Sequence, residues 1–233
     1  MINALIFILA FLIGIVMYFT CYKVNISKFK SKHIGKKILL IGGTHGNEPV
    51  GVYVLNSLEN LLKNKPYLHK RGEITIIKNL NKCGYFTKNR YYNSIGKKYD
   101  LNRMYGKDFI VNKQVEKLVQ NSDIIIDIHE GWGYIGDKRN SIGSSISHTK
   151  GINKIEIKKV VDLLNLNIKE DNKKFEIGTF STKRHSLREY CDKINKPYIL
   201  FETTGQNNIQ PLHVRLDQTY TFILYMLSVY DLI

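Results

Sequence analysis

The chain has 233 residues, 43% apolar and 24% charged, which suits one substantial globular domain and excludes a disordered or low-complexity chain. Its formal net charge is +15, but the lysines are scattered over nearly every segment. With no arginine-rich stripe or recognisable binding module, that pattern argues against a nucleic-acid binder and for a solvated basic surface, one that also attracts anionic substrates or lipid.

Residues 1–20 carry no charged side chain and are mostly Ile, Leu, Phe, Ala and Val. As a helix rising about 1.5 Å per residue, they reach roughly the 30 Å of a bilayer core. No Lys or Arg precedes the run, and Met17-Tyr18-Phe19-Thr20-Cys21-Tyr22 is a poor cleavage sequence. Residues 1–22 therefore read as an uncleaved single-pass transmembrane helix. Lys23, Lys28, Lys30, Lys32, Lys36 and Lys37 follow, so residues 23–36 read as a basic linker and residues 37–233 as a cytosolic domain. Cys21, Cys83 and Cys191 are odd in number and far apart, and reduced thiols are expected. The Asn25-Ile26-Ser27 glycosylation sequon would matter only under the opposite topology.

Beyond the linker, residues 37–42 read as a buried strand, followed by a Gly-rich turn and a helix over residues 49–63. Residues 74–77 form a second strand. The polar stretch 81–106 is too long for a simple connection and is expected to be an ordered loop. Residues 111–119 read as helix. Residues 123–128 form a third strand whose unbroken apolar run predicts cover on both faces. A helix over 155–164, a weak strand over 175–177, a helix over 185–194 and a buried strand over 198–201 follow. The last segment, residues 211–230, is a core helix and not a second span, because His213, Arg215 and Asp217 interrupt it. Alternating strands and helices predict an α/β domain with helices on both faces of the sheet.

Four polar clusters fall at the ends of these strands, where open α/β sheets place ligands. In Gly42-Gly43-Thr44-His45-Gly46-Asn47-Glu48, an imidazole and a carboxylate leave one strand together, a pairing that suits zinc. Alone, His-x-x-Glu also describes a capped turn. In Asp127-Ile128-His129-Glu130-Gly131, His129 ends the third strand, either as a structural histidine or as a third ligand that would leave a fourth position open. The loop carries Asn89-Arg90 and Asp100-Leu101-Asn102-Arg103, whose arginines serve either surface ion pairs or a substrate carboxylate and an oxyanion. Glu202 directly follows the last strand and is placed either to accept a proton from water or to cap a helix.

Together these pieces, in this order, resemble the zinc carboxypeptidase superfamily, and more closely its aspartoacylase and succinylglutamate desuccinylase branch. The matching segments are Gly43 to Glu48, Asn81 to Arg90, Asp100-Leu101-Asn102-Arg103, Asp127-Ile128-His129 and Phe201-Glu202, within residues 36–225. The resemblance implies a mixed, largely parallel sheet. It also implies one zinc ion per chain on His45, Glu48 and His129, with Glu202 as general base and proton shuttle. Arg90 would hold the oxyanion, Asn102 and Arg103 would clamp a substrate carboxylate, and Asp100 would orient His45. The expected activity is hydrolysis of an amide in a small molecule or peptide with a free carboxylate. An N-acyl amino acid deacylase leads, ahead of a metallocarboxypeptidase acting on peptides or peptidoglycan stems, and of an inactive membrane-anchored binding protein.

The chain departs from the family in several places. Asn81-Lys82 stands where Asn-Pro is common. About thirty residues follow Glu202, so the C-terminal β-domain that narrows aspartoacylase channels is expected to be missing, which keeps the carboxypeptidase reading open. Tyr190, Arg184 and Arg188 compete for the role of substrate-capping group. Trp132, the only tryptophan, either lines the pocket or packs under its loop.

Overall fold

A computed structural model describes residues 6, 21–94, 96–137, 141–179 and 182–233. Apart from Ile6, Cys21 and Tyr22, the predicted anchor at residues 1–22 lies outside the described residues. Among those described, no helix is long and apolar enough to cross a membrane.

The strands are β1 (Ser27–Lys30), β2 (Lys37–Ile41), β3 (Glu73–Ile77), β4 (Tyr92–Ser94), β5 (Lys97–Tyr99), β6 (Ile124–Gly131), β7 (Ser145–His148), β8 (Glu176–Ile177) and β9 (Tyr198–Thr204). The helices are α1 (Val50–Asn64), α2 (Lys82–Phe86), α3 (Ile110–Gln120), α4 (Lys154–Asn165), α5 (Leu187–Lys193) and α6 (Leu212–Val229). Seven strands form one sheet in the order β1-β3-β2-β6-β9-β7-β8, and β4 and β5 form a separate hairpin. The centre, β3-β2-β6-β9, is parallel. Antiparallel β1 joins at β3 and antiparallel β7 at β9, so the sheet is mixed but largely parallel.

Side-chain alternation divides the core into two layers. Ile38, Leu40, Ile76, Ile126, Ile128, Ile199 and Phe201 pack with residues of α1, α4 and α6. Leu39, Ile41, Ile77, Ile125 and Tyr198 pack on the other face with residues of α3 and α5. All eight residues of β6 are buried, which explains its continuous apolar run. α6 buries Phe222, Ile223, Met226 and Leu227 and is a core helix.

Two expectations are corrected. The basic linker is structured in part: Ser27–Lys30 pairs with β3, with lysines alternating outward so that the period-2 pattern hides in a basic stretch. Cys21 and Cys83 are not separate reduced thiols but form a disulfide, with Cα atoms 5.9 Å apart. Cys191 is free and buried. The bond fastens the start of the domain to α2, where Tyr22 also meets Ser94 and Gln114 Nε2 donates to the Tyr22 carbonyl at 2.8 Å.

Candidate active site

Parallel strands that end together bring their following residues together, and the C-terminal ends of β2, β6 and β9 converge here. Two glycines shape the turn after β2: Gly43 adopts φ +63°, and Gly46 lies so close to the Gly84 backbone that no Cβ would fit. The turn projects His45 and Glu48 towards β6. His45 Nδ1 is 2.8 Å from Glu48 Oε1, His129 Nδ1 is 2.8 Å from Glu48 Oε2, and the two Nδ1 atoms are 3.2 Å apart. One ligand atom from each of the three buried residues lies within 4.8 Å of the others.

The far side of each imidazole meets a carboxylate. His45 Nε2 is 3.1 Å from Asp100 Oδ1, and His129 Nε2 is 3.0 Å from Asp127 Oδ2. Asp127 is in turn held by Thr44 Oγ1 at 3.3 Å and Tyr198 OH at 3.1 Å. Metal-ligating histidines characteristically use one nitrogen for the ion and the other for such a carboxylate. Two imidazole nitrogens turned towards each other beside a carboxylate fit a divalent cation between them.

The electrostatics agree. Burial raises the pKa of Glu48, but His45 and His129 outweigh it and hold this carboxyl well below its usual range. Burial lowers the pKa of His129, yet Asp127 and Glu48 push it far above the ordinary histidine value. Asp100 opposes its own burial through His45, Arg90 and Arg103 and is held low. The carboxylates of Glu48 and Asp100 are thus held ionised beside the imidazoles.

Glu202 is the direct β9 partner of His129. Burial, then Glu48 and Asp127, drives its pKa well up, against the opposing pull of His129 and Arg90. Arg90 Nη1 lies 3.4 Å from Glu48 Oε1, and its Nε and Nη2 donate to Asp100 Oδ2 at 3.3 and 3.1 Å. Asn81 fixes this loop: it caps α2 through Gly84 N at 2.9 Å and donates to the Arg90 carbonyl at 3.1 Å. The Asn-Lys sequence therefore still forms an ordered turn.

All eight predicted site residues belong to one constellation. Seven of them (His45, Glu48, Arg90, Asn102, Arg103, His129 and Glu202) line a cleft of about 680 Å³, and Asp100 supports it from behind. Asn102 Oδ1 accepts from Leu187 N at 2.9 Å, which docks α5 and leaves its amide NH2 for a ligand. Of the three competing capping groups, Arg188 lines the cleft, with its Nε buried and unpartnered. Tyr190 is engaged elsewhere, by Gln120 Nε2 at 3.0 Å, and Arg184 is exposed. Trp132 lines the cleft and is 45% exposed.

Three residues lay beyond the sequence reading. Asp127 was visible in its motif but carried no role. Glu130, ion-paired with buried Arg215, accepts from Val50 N at 2.6 Å and anchors the start of α1. Gln206 touches Glu48, and no local pattern marks it.

Residues 34–133 match the family model for the succinylglutamate desuccinylase/aspartoacylase catalytic domain. Over that segment the chain resembles the aspartoacylase and desuccinylase branch, as its motifs imply. Among solved structures, the cell shape determinant protein Csd4 of Helicobacter pylori shares the fold, with TM-score 0.69 and 16% identity over 91% of this chain and 55% of that one. Csd4 is also known with a bound tripeptide. A succinylglutamate desuccinylase/aspartoacylase from Rhodobacter sphaeroides gives TM-score 0.65 and 17% identity over 90% of this chain and 60% of its own. The chain thus spans a little over half the length of these proteins. No curated protein sequence matches it. What the chain shares with these proteins is the fold and, over residues 34–133, the catalytic-domain pattern.

Proposed function

We propose that this chain is a zinc-dependent amide hydrolase acting on small N-acyl amino acids. What supports this most is the pair of imidazoles, each turned to a common point by its own carboxylate, with Glu202 in register beside them. His45, Glu48 and His129 would hold the ion. Bound there, zinc would polarise a carbonyl and make water more acidic.

The protein's own groups supply the rest. Glu202 accepts a proton from the attacking water, whose oxygen bonds to the amide carbon. As the carbon–nitrogen bond breaks, Glu202 passes that proton to the nitrogen, giving an amine and a carboxylic acid that then ionises in water. Arg90 faces the charge that develops on the carbonyl oxygen. Asn102 and Arg103, with Arg188 in the same cleft, hold the substrate carboxylate. Attachment to a membrane through residues 1–20 belongs to the same proposal and rests on their apolar composition.

A metallocarboxypeptidase is the second reading, favoured by a cleft of about 680 Å³ and by the tripeptide bound to Csd4. A panel of N-acyl amino acids and short peptides, assayed with zinc and with Glu202→Gln as control, decides between them. Zinc-dependent release of an amino acid from the acyl series supports the proposal. Cleavage confined to peptides supports the second reading, and stoichiometric zinc with no hydrolysis of either series rejects both.

A further inference from the structure

We propose that Gln206 is a positioning residue for the Glu48 carboxylate, and through it for the metal; this rests on the metal site proposed above. Gln206 lies in the turn after β9, four residues past Glu202. Its Nε2 donates to Glu48 Oε1 at 2.9 Å and to the Glu130 carbonyl at 2.6 Å. Its Oε1 accepts from Asn47 Nδ2 at 3.1 Å. The opposite amide orientation would set an oxygen against two other acceptors and an NH2 against an NH2 donor, so these neighbours dictate which end faces Glu48.

Glu48 is thus held through both oxygens. Gln206 Nε2 donates to Oε1 at 2.9 Å, nearer than Arg90 Nη1 at 3.4 Å, and Glu130 N donates to Oε2 at 3.2 Å. The platform behind them is rigid. Gly205 N donates to the Gly131 carbonyl at 3.0 Å, and Gly205 packs so tightly on Glu130 and Arg215 that a Cβ would overlap both. Donors on both oxygens fix the rotation of a carboxylate, and outer groups of this kind hold a ligand in its binding geometry. Gln206 is only half-buried, so its loss opens no core cavity.

The test compares Gln206→Met, which keeps the length and loses the amide, with the wild-type chain. Zinc affinity measured against a chromophoric chelator should fall about ten- to a hundredfold, and the absorption spectrum of the cobalt-loaded protein should change. The metal-free melting temperature should hold. At saturating zinc, KM for a cleaved substrate should match wild type while kcat largely recovers. Unchanged zinc affinity overturns the proposal, and so does a KM increase that persists in saturating zinc, because Gln206 would then touch substrate. If Gln206→Met does not fold, Gln206→Ala decides: it removes the amide from a half-buried position, where the same fall in zinc affinity supports the proposal and unchanged affinity overturns it. Failure of the wild-type chain to bind zinc would reject the proposed function itself, before any variant is compared.

Discussion

His129 and Glu202 sit directly opposite each other in the parallel ladder of β6 and β9. Register partners in a parallel pair present side chains to the same side, so the candidate ligand and the candidate base share one wall of the cleft. A slip of one residue would turn Glu202 towards the other face of the sheet. The core fixes the register, because Ile126 and Ile128 pair with Ile199 and Phe201 in the same buried layer.

Glu202→Gln keeps this geometry and removes the proton acceptor. It should lower kcat by about two to four orders of magnitude, the usual contribution of a general base. Zinc affinity should stay near wild type, since Glu202 is not in the ligand set. Steady-state kinetics with a parallel zinc titration checks both halves, and full activity in the variant would remove Glu202 from the mechanism.

Asp127→Asn tests the support behind His129. Its carboxylate lies 3.0 Å from His129 Nε2 and is shared with Thr44 and Tyr198. Loss of such a partner typically costs about 10- to 100-fold in metal affinity. Chelator competition should show that loss, and Tyr198→Phe should show a smaller one because Thr44 still holds Asp127.

Much of this site was legible because it is built from strand ends. A buried apolar run followed by a polar residue is visible in one dimension, and His129 and Glu202 both stand at such a boundary. Asp127 was hidden because its partner, His129 Nε2, depends on ring orientation, which no sequence pattern displays. Gln206 was hidden for a related reason, since its contact to Glu48 crosses 158 positions. Strand β1 was read as linker because an edge strand facing water can carry lysines at alternate positions. Strand β7, Ser145–His148, has only one aliphatic residue, Ile146, and its burial comes from pairing with β9. The disulfide escaped because cysteine spacing does not give connectivity.

Arg103→Ala should weaken substrate binding by about 1.5–3 kcal/mol, the range for a hydrogen bond to a charged group, or roughly ten- to hundredfold in KM. The discriminating substrate has its free carboxylate masked as an amide. Wild type should handle it poorly, and the variant should handle both forms about equally. A variant that still prefers the free carboxylate as strongly as wild type does would place the clamp elsewhere, with Arg188 the next to examine.

Glu59 predicts an acid-sensitive contribution to stability. It is buried on α1 and accepts from Ser27 Oγ of β1 at 2.9 Å, pairs with Lys78 at 2.5 Å and also meets Lys63. Burial raises its pKa, but these partners prevail and bring it from 4.5 to about 2. A depressed folded-state pKa means the stabilisation is fully present above about pH 4.5 and is lost as pH falls through about 2. At neutral pH, Glu59→Gln should be less stable than wild type by about 1.5–3 kcal/mol. Urea denaturation at a series of pH values should show the two proteins converging across that acid window. A constant gap would assign the loss to packing.

The Cys21–Cys83 disulfide closes a sequence separation of 62 residues. By loop-closure entropy, such a link restricts the unfolded chain by about 4 kcal/mol, with about 2–4 kcal/mol typical of measured bonds. Cys83→Ser should therefore lower the melting temperature, and reductant should lower that of wild type while leaving the variant unmoved. The effect should also reach the cleft, because Cys83 lies on α2, and the Asn81 that caps this helix holds the Arg90 carbonyl. A modest fall in kcat/KM at temperatures well below melting is expected for the reduced chain. Mass spectrometry of unreduced peptides from the native protein should recover the segments holding Cys21 and Cys83 as one cross-linked species. Recovery of both cysteines as free thiols would overturn the disulfide.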